Sequence, residues 1–211
     1  MHNDDVVFNE DLTSTKHYLK QPKIVINLLL MSLVWLSTSF GYYLILTLIN
    51  TFENVYTTAF VSSASEMAAY VISGMFYEKV GVKLSLILAF AISTVGGVLI
   101  LAWGLAHQSS TLFFIFFLFA KFGVTCTFNI NYSANSYFFP TLFAATAIGI
   151  CNLLARLVSS MSFIVSQLEE PTPMWLFTSL CAITCVASFF LRTEDKKEHK
   201  DGDKLLEEDS D

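Results

Sequence analysis

Charge is scarce through the middle of this sequence. Six long apolar stretches lie between an acidic head and an acidic tail, and only three charged residues interrupt them: Glu66, Lys121 and Arg156. Windows of about 20 residues with almost no charge exclude a water-soluble domain and predict spanning helices. Cysteine is sparse too. Cys126, Cys151, Cys181 and Cys185 all fall inside apolar windows, so they read as small buried hydrophobes and not as a disulfide framework. The four histidines, His2, His17, His107 and His199, are scattered through loops and tails with none at ligand spacing, which leaves no metal site. No nucleophile with its base and no phosphate-cradling loop is present, so an enzyme is not expected. No cofactor and no nucleic-acid partner is expected either.

What is present has a clear layout. The predicted class is an all-α integral membrane protein with six spanning helices, over Ile24 to Ile49, Tyr56 to Tyr77, Leu84 to Ala106, Thr111 to Tyr132, Leu142 to Gln167 and Met174 to Leu191. The intervals Asn50 to Asn54, Glu78 to Lys83, His107 to Ser110, Asn135 to Thr141 and Glu169 to Pro173 carry turn or polar signals. This divides the chain into an acidic segment 1–22, a transmembrane domain 23–192 and an acidic tail 193–211. The tail mixes Glu, Asp and Lys too densely to bury a core and reads as solvated. The Phe-rich run Phe113 to Phe119 reads as a lipid-facing or packing surface.

An even helix count puts both termini on one side, and the basic residues say which. Lys16, Lys20, Lys23, Lys79, Lys83, Arg192, Lys196, Lys197, Lys200 and Lys204 all fall with the termini, while the opposite loops hold only Glu53, Glu169 and Glu170. Because Lys and Arg in short flanks are retained in the cytoplasm, both ends are expected there, or in the matrix of a mitochondrion. The first dozen residues lack the Arg-rich pattern of a transit peptide, and no signal-peptide layout precedes Ile24. The sequon at Asn131 lies at the end of a span, where glycosylation is not expected.

The three intramembrane charges are the candidate site. At about 1.5 Å rise per residue, Glu66 and Lys121 fall near the middle of a ~30 Å hydrocarbon core, and Arg156 lies nearer its outer face. Each sits in a polar or small-residue stripe at helical spacing: Ser62, Glu66, Ala69 and Ser73; Lys121, Thr125, Asn129 and Tyr132; Asn152, Arg156, Ser159 and Ser160. Such stripes face protein or water. Two cations and one carboxylate leave one positive charge in excess, which suits an anion. The alternative is that Glu66 neutralises one cation and the remaining polar groups only glue helices together.

These residues also resemble a known family. Pro22 to Leu48, with Trp35 and Tyr42-Tyr43, is similar to the seventh helix of the organic cation and organic anion transporters of the major facilitator superfamily. Glu66-Met67-Ala68-Ala69-Tyr70 resembles the eighth-helix motif, and Gly74 to Lys83, with Glu78, Lys79 and Gly81 between, resembles the loop signature G-x-x-x-[DE]-[RK]-x-G-x-[RK]. Lys121-Phe122-Gly123 resembles the tenth-helix motif. Phe139-Pro140-Thr141 with Gly149 and Ala155-Arg156 resembles the loop and eleventh helix. The resemblance implies that Glu66, Lys121 and Arg156 lie toward a central substrate cavity. A basic residue at the position of Arg156 goes with the anion-handling branch. It also implies a cytoplasmic gate at Gly74, Glu78, Lys79, Gly81 and Lys83.

The departures matter as much. Tyr137 and Ala144 stand where the family has an acid and an Arg, and Val82 replaces the second arginine of the loop signature, so Glu78 loses its expected partners. The likeness starts at the usual boundary between two six-helix halves, and alternating access needs both. Two readings follow. In one, the chain is a half-sized secondary transporter that pairs with a partner half, or with its own copy, to carry organic anions along Glu66, Lys121, Arg156, Asn129 and Asn152. In the other, it is a transport-inactive relic serving as a structural subunit of a larger membrane complex, mitochondrial complexes included.

Overall fold

The computed structural model describes residues 20–49, 55–103 and 111–192. The acidic head (apart from its last residues), the tail 193–211 and the connections at 50–54 and 107–110 lie outside the described residues. Among the described residues seven helices form, and two of them make up one expected span: α1 Pro22–Leu48, α2 Val55–Val80, α3 Val82–Ala102, α4 Thr111–Phe138, α5 Thr141–Ser159, α6 Met161–Ser166 and α7 Thr172–Phe189.

The helix boundaries have local causes. Pro22 opens α1 at its first turn, where a missing N–H costs nothing. Gly81 alone separates α2 from α3, with φ at 88°; its N–H donates to Tyr77 O and its carbonyl accepts from Ser85 N–H. Only glycine holds that backbone cheaply. Helix α4 runs six residues beyond the expected Tyr132, so Asn135 to Phe138 are helical and not loop. The Asn135 side chain is spent on a tertiary bond, its Nδ2 donating to Ala144 O at 3.2 Å, and the chain turns only where Pro140 cannot continue the helix.

The fifth expected span is broken at Ser160. Ser159, Ser160 and Ser162 each donate to the carbonyl three residues back, those of Arg156, Leu157 and Ser159, and such back-bonding competes with the helical ladder.

Among the described residues five segments are long and apolar enough to cross a membrane: α1, α3, α4, 143–166 and α7. Helix α2 has the length, 26 residues, but is less apolar. Its polar face is turned inward, with Ser62, Ala69 and Ser73 buried, while Met67, Val71 and Met75 on the other side are exposed. Counted with it, the architecture is an all-α, multi-pass membrane bundle.

Helix α3 packs against α4 and α7, α1 against α5, α4 and α7, and α2 against α4. The core holds Trp35, Phe90, Phe117, Phe138, Phe139, Phe143 and Phe177. All four cysteines are free, three of them buried and Cys185 half-buried. The outer surface exposes Leu29, Phe60, Leu153, Phe163, Ile183 and Phe190, apolar side chains that suit lipid contact.

Candidate functional site

Helices α2 and α4 meet along a ladder of polar contacts a turn apart. The Lys121 ammonium lies 2.8 Å from Glu66 Oε1 and also donates to the Ser62 hydroxyl. One turn on, Cys126 Sγ approaches Ala69 O at 3.6 Å. Below it Asn129 Nδ2 donates to Ser73 Oγ at 2.8 Å and reaches Tyr70 O at 3.4 Å. The stripes expected on α2 and α4 therefore face each other. Lys121 is 3% exposed, and a carboxylate and a hydroxyl stand around its ammonium in place of water.

Glu66 has a second partner. Tyr42 on α1 donates its hydroxyl to Glu66 Oε1 at 3.1 Å, spanning the gap between α1 and α2. Beneath this bridge lies a cavity of about 280 Å³ lined by Tyr42, Leu46, Ile49, Ala59, Ser62, Ser63, Glu66 and Lys121. Its two charges cancel.

Arg156 is placed differently. It lies on α5, touches neither Glu66 nor Lys121, and donates Nη1 to the Tyr43 hydroxyl at 2.8 Å, with its guanidinium 6.0 Å from the Tyr43 ring. It has no carboxylate within ion-pair distance among the described residues. Asn152, one turn earlier on the same face, is half-buried, and its side chain makes no hydrogen bond among the described residues. Adjacent residues of α1 thus connect the two charged groups, since Tyr42 and Tyr43 meet edge to face at 5.5 Å. Further rings continue from Tyr42 to Phe128 at 5.3 Å, to Tyr132 at 6.1 Å and to Trp35 at 4.9 Å. Sequence reading had Tyr42 and Tyr43 only as part of a family likeness. The signal that singles them out is a phenol in mid-span, which needs a hydrogen-bond partner when buried.

The residues of the expected gate lie at the other end of α2. Glu78, Lys79 and Gly81 are exposed and Gly74 is half-buried. Glu78 has no ion-pair partner among the described residues. Lys83 donates to Leu191 O at 2.9 Å, neutralising the carbonyl end of α7. Beside it Asn27 clasps Arg192, donating to its carbonyl at 2.8 Å and accepting from its N–H at 3.1 Å. Neither bond was visible in the sequence, because both join residues more than 100 positions apart. Among the described residues no three His, Cys, Asp or Glu side chains converge as metal ligands would.

No family model matches the sequence. Curated proteins do: over 180 residues the chain is 27% identical to solute carrier family 22 member 21 of Mus musculus, covering 82% of this chain and 31% of that one. The chain is thus similar in sequence to solute carrier 22 transporters. It is 26% identical over 163 residues to organic cation/carnitine transporter 2 of Homo sapiens, covering 75% of this chain and 29% of that one. Against solute carrier family 22 member 6-A of Xenopus laevis it is 27% identical over 166 residues, 76% and 29% of the two chains. It spans about a third of the length of these solute carrier 22 relatives.

Proposed function

We propose that this chain is one half of a secondary transporter for organic anions, completed by a second six-helix half, with Arg156 as the anchor for the anion. The observation that carries this reading is the exposure of Arg156 on a span that its own chain covers thinly: 22% of the most apolar 18-residue window of Phe143–Ser166 is buried, against 61% of that in α1. A guanidinium facing hydrocarbon is costly, so this face calls for a protein wall or a water-filled path. With Glu66 and Lys121 cancelling each other, Arg156 supplies the excess positive charge, and an anion is the complementary ligand. Organic cation/carnitine transporter 2 bears cations in its name; an arginine without a carboxylate is the feature that points this chain the other way. Asn129 and Asn152 are proposed as further lining, and the half with Glu78, Lys79 and Lys83 as the cytoplasmic end.

A structural role is the second reading. It is favoured by the sealing of Lys121 behind Glu66, Ser62 and Tyr42, and by the diversion of Lys83 from a gate to the end of α7. The two readings part under one experiment: purification in mild detergent with whatever assembles with the chain, reconstitution into vesicles, and uptake of a labelled organic anion. On the transport reading Arg156→Ala abolishes uptake and leaves the assembly intact. Flux that survives the substitution, or its absence in every reconstitution of an intact assembly, overturns that reading.

A further inference from the structure

We propose that an anionic phospholipid occupies a groove at the end of the bundle where α1 begins and α7 ends, its phosphate on Lys83 and an acyl chain along α3 and α7. This goes beyond the transport reading and does not depend on it.

The groove has a volume of about 340 Å³ and is lined by Lys83, Leu84 and Ile87 of α3, Tyr137 of α4, Phe189 of α7 and the turn at 80–82. Its depth in the bilayer follows from α3. The 21 residues of that helix make roughly 30 Å, the thickness of the hydrocarbon core, so Lys83, the second of them, stands at the headgroup boundary. Tyr137, next to last in α4, brings a phenol to the same level, where amphipathic rings settle. The other lining side chains are apolar and none is a carboxylate; Glu78, on the last turn of α2, is exposed and lies outside the lining. Lys83 gives one donor to Leu191 O at 2.9 Å, and an ammonium has two more. One turn further in, Leu88 on α3 and Val186 on α7 are exposed in line with Leu84 and Phe189, so the groove continues toward the midplane as an apolar track. A water-soluble anion would use the lysine alone, whereas a phospholipid uses the lysine and the track. A cation in a pocket between helices at this depth is the pattern that holds acidic headgroups. Lys20, Lys23, Lys79 and Arg192 at the same end raise the local concentration of anionic lipid.

The test adds dioleoyl phosphatidylglycerol or dioleoyl phosphatidylcholine to the full chain, purified in mild detergent with its co-purifying partners, and reads the lipid-bound fraction by native mass spectrometry. The wild type should hold phosphatidylglycerol at least about fivefold tighter than phosphatidylcholine, the worth of one lysine near a membrane surface. Lys83→Gln should bring the two lipids close to parity, because the amide keeps a donor for Leu191 O and loses only the charge. Leu84→Trp, which fills the groove and leaves the charge in place, should weaken phosphatidylglycerol by a similar factor. Glycerol 3-phosphate, the same headgroup chemistry without acyl chains, should not displace the lipid at equal concentration. Equal retention of the two lipids by the wild type overturns the proposal, and so does a preference that Lys83→Gln or Leu84→Trp leaves unmoved, which would place the anionic lipid elsewhere on the basic end. Displacement by glycerol 3-phosphate overturns the lipid assignment in favour of a soluble phosphate. Should Lys83→Gln not fold, the wild-type preference and Leu84→Trp decide. None of these outcomes touches the uptake experiment on Arg156.

Discussion

Lys121 and Arg156 are both cations within the spanning helices, yet their surroundings divide their roles. Lys121 is enclosed, and its charge is balanced on the spot by Glu66; Arg156 is exposed and balanced by no carboxylate among the described residues. Removing one member of a buried pair is far costlier than removing both, because the survivor keeps its desolvation penalty without its partner. Glu66→Ala is therefore expected to destabilise the fold by roughly 3–5 kcal/mol. Thermal unfolding in detergent measures it, and the double change Glu66→Ala with Lys121→Met should recover much of the loss. If the double variant unfolds as early as the single one, the pair is not what holds α2 to α4.

At the scale of helices, close approach depends on small residues. A Cβ placed on Gly96 would lie 2.5 Å from the Ala120 backbone N, and one on Gly123 would lie 2.6 Å from the Ser93 N and 2.7 Å from the Ala89 carbonyl. Without a hydrophobic force between helices in lipid, such backbone contact is a main source of cohesion. Gly123→Val should force α3 and α4 apart at a cost of about 1–3 kcal/mol or more, seen as a lower melting temperature. Unchanged melting would mean that the helices separate freely at this point. The same scale explains where sequence reading needed correction. The serines around Ser160 look like a polar stripe in one dimension, and in the folded helix they bond backward and interrupt it. Asn135 to Tyr137 look like a loop, but α4 carries them as helix because Asn135 finds a partner on α5.

For the whole molecule, Asn27 and Lys83 tie the start of α1 and of α3 to the end of α7, so Lys20, Lys23, Lys79, Lys83 and Arg192 gather at one end. If that end is cytoplasmic, Lys23→Cys in sealed right-side-out vesicles should escape a membrane-impermeant maleimide until the membrane is opened. The native cysteines are buried or half-buried and give little background. Labelling of sealed vesicles would reverse the assigned orientation. The spans and the three charges were legible in the sequence because apolar runs of membrane length, and any ion within them, stand out along a single chain. Which cation meets Glu66 was not legible, since Lys121 and Arg156 both fall at plausible depths.

The amino-acid order alone determined that this chain lives in a bilayer, roughly where its apolar spans lie, and which ionised groups fall within them, because the cost of burying charge or unpaired backbone in lipid acts on local sequence. Only the tertiary structure decided that Lys121 is neutralised by Glu66 and that Arg156 meets no carboxylate among the described residues. Pairing depends on how α1, α2, α4 and α5 pack, and on two neighbouring tyrosines that point to different helices from successive positions of α1.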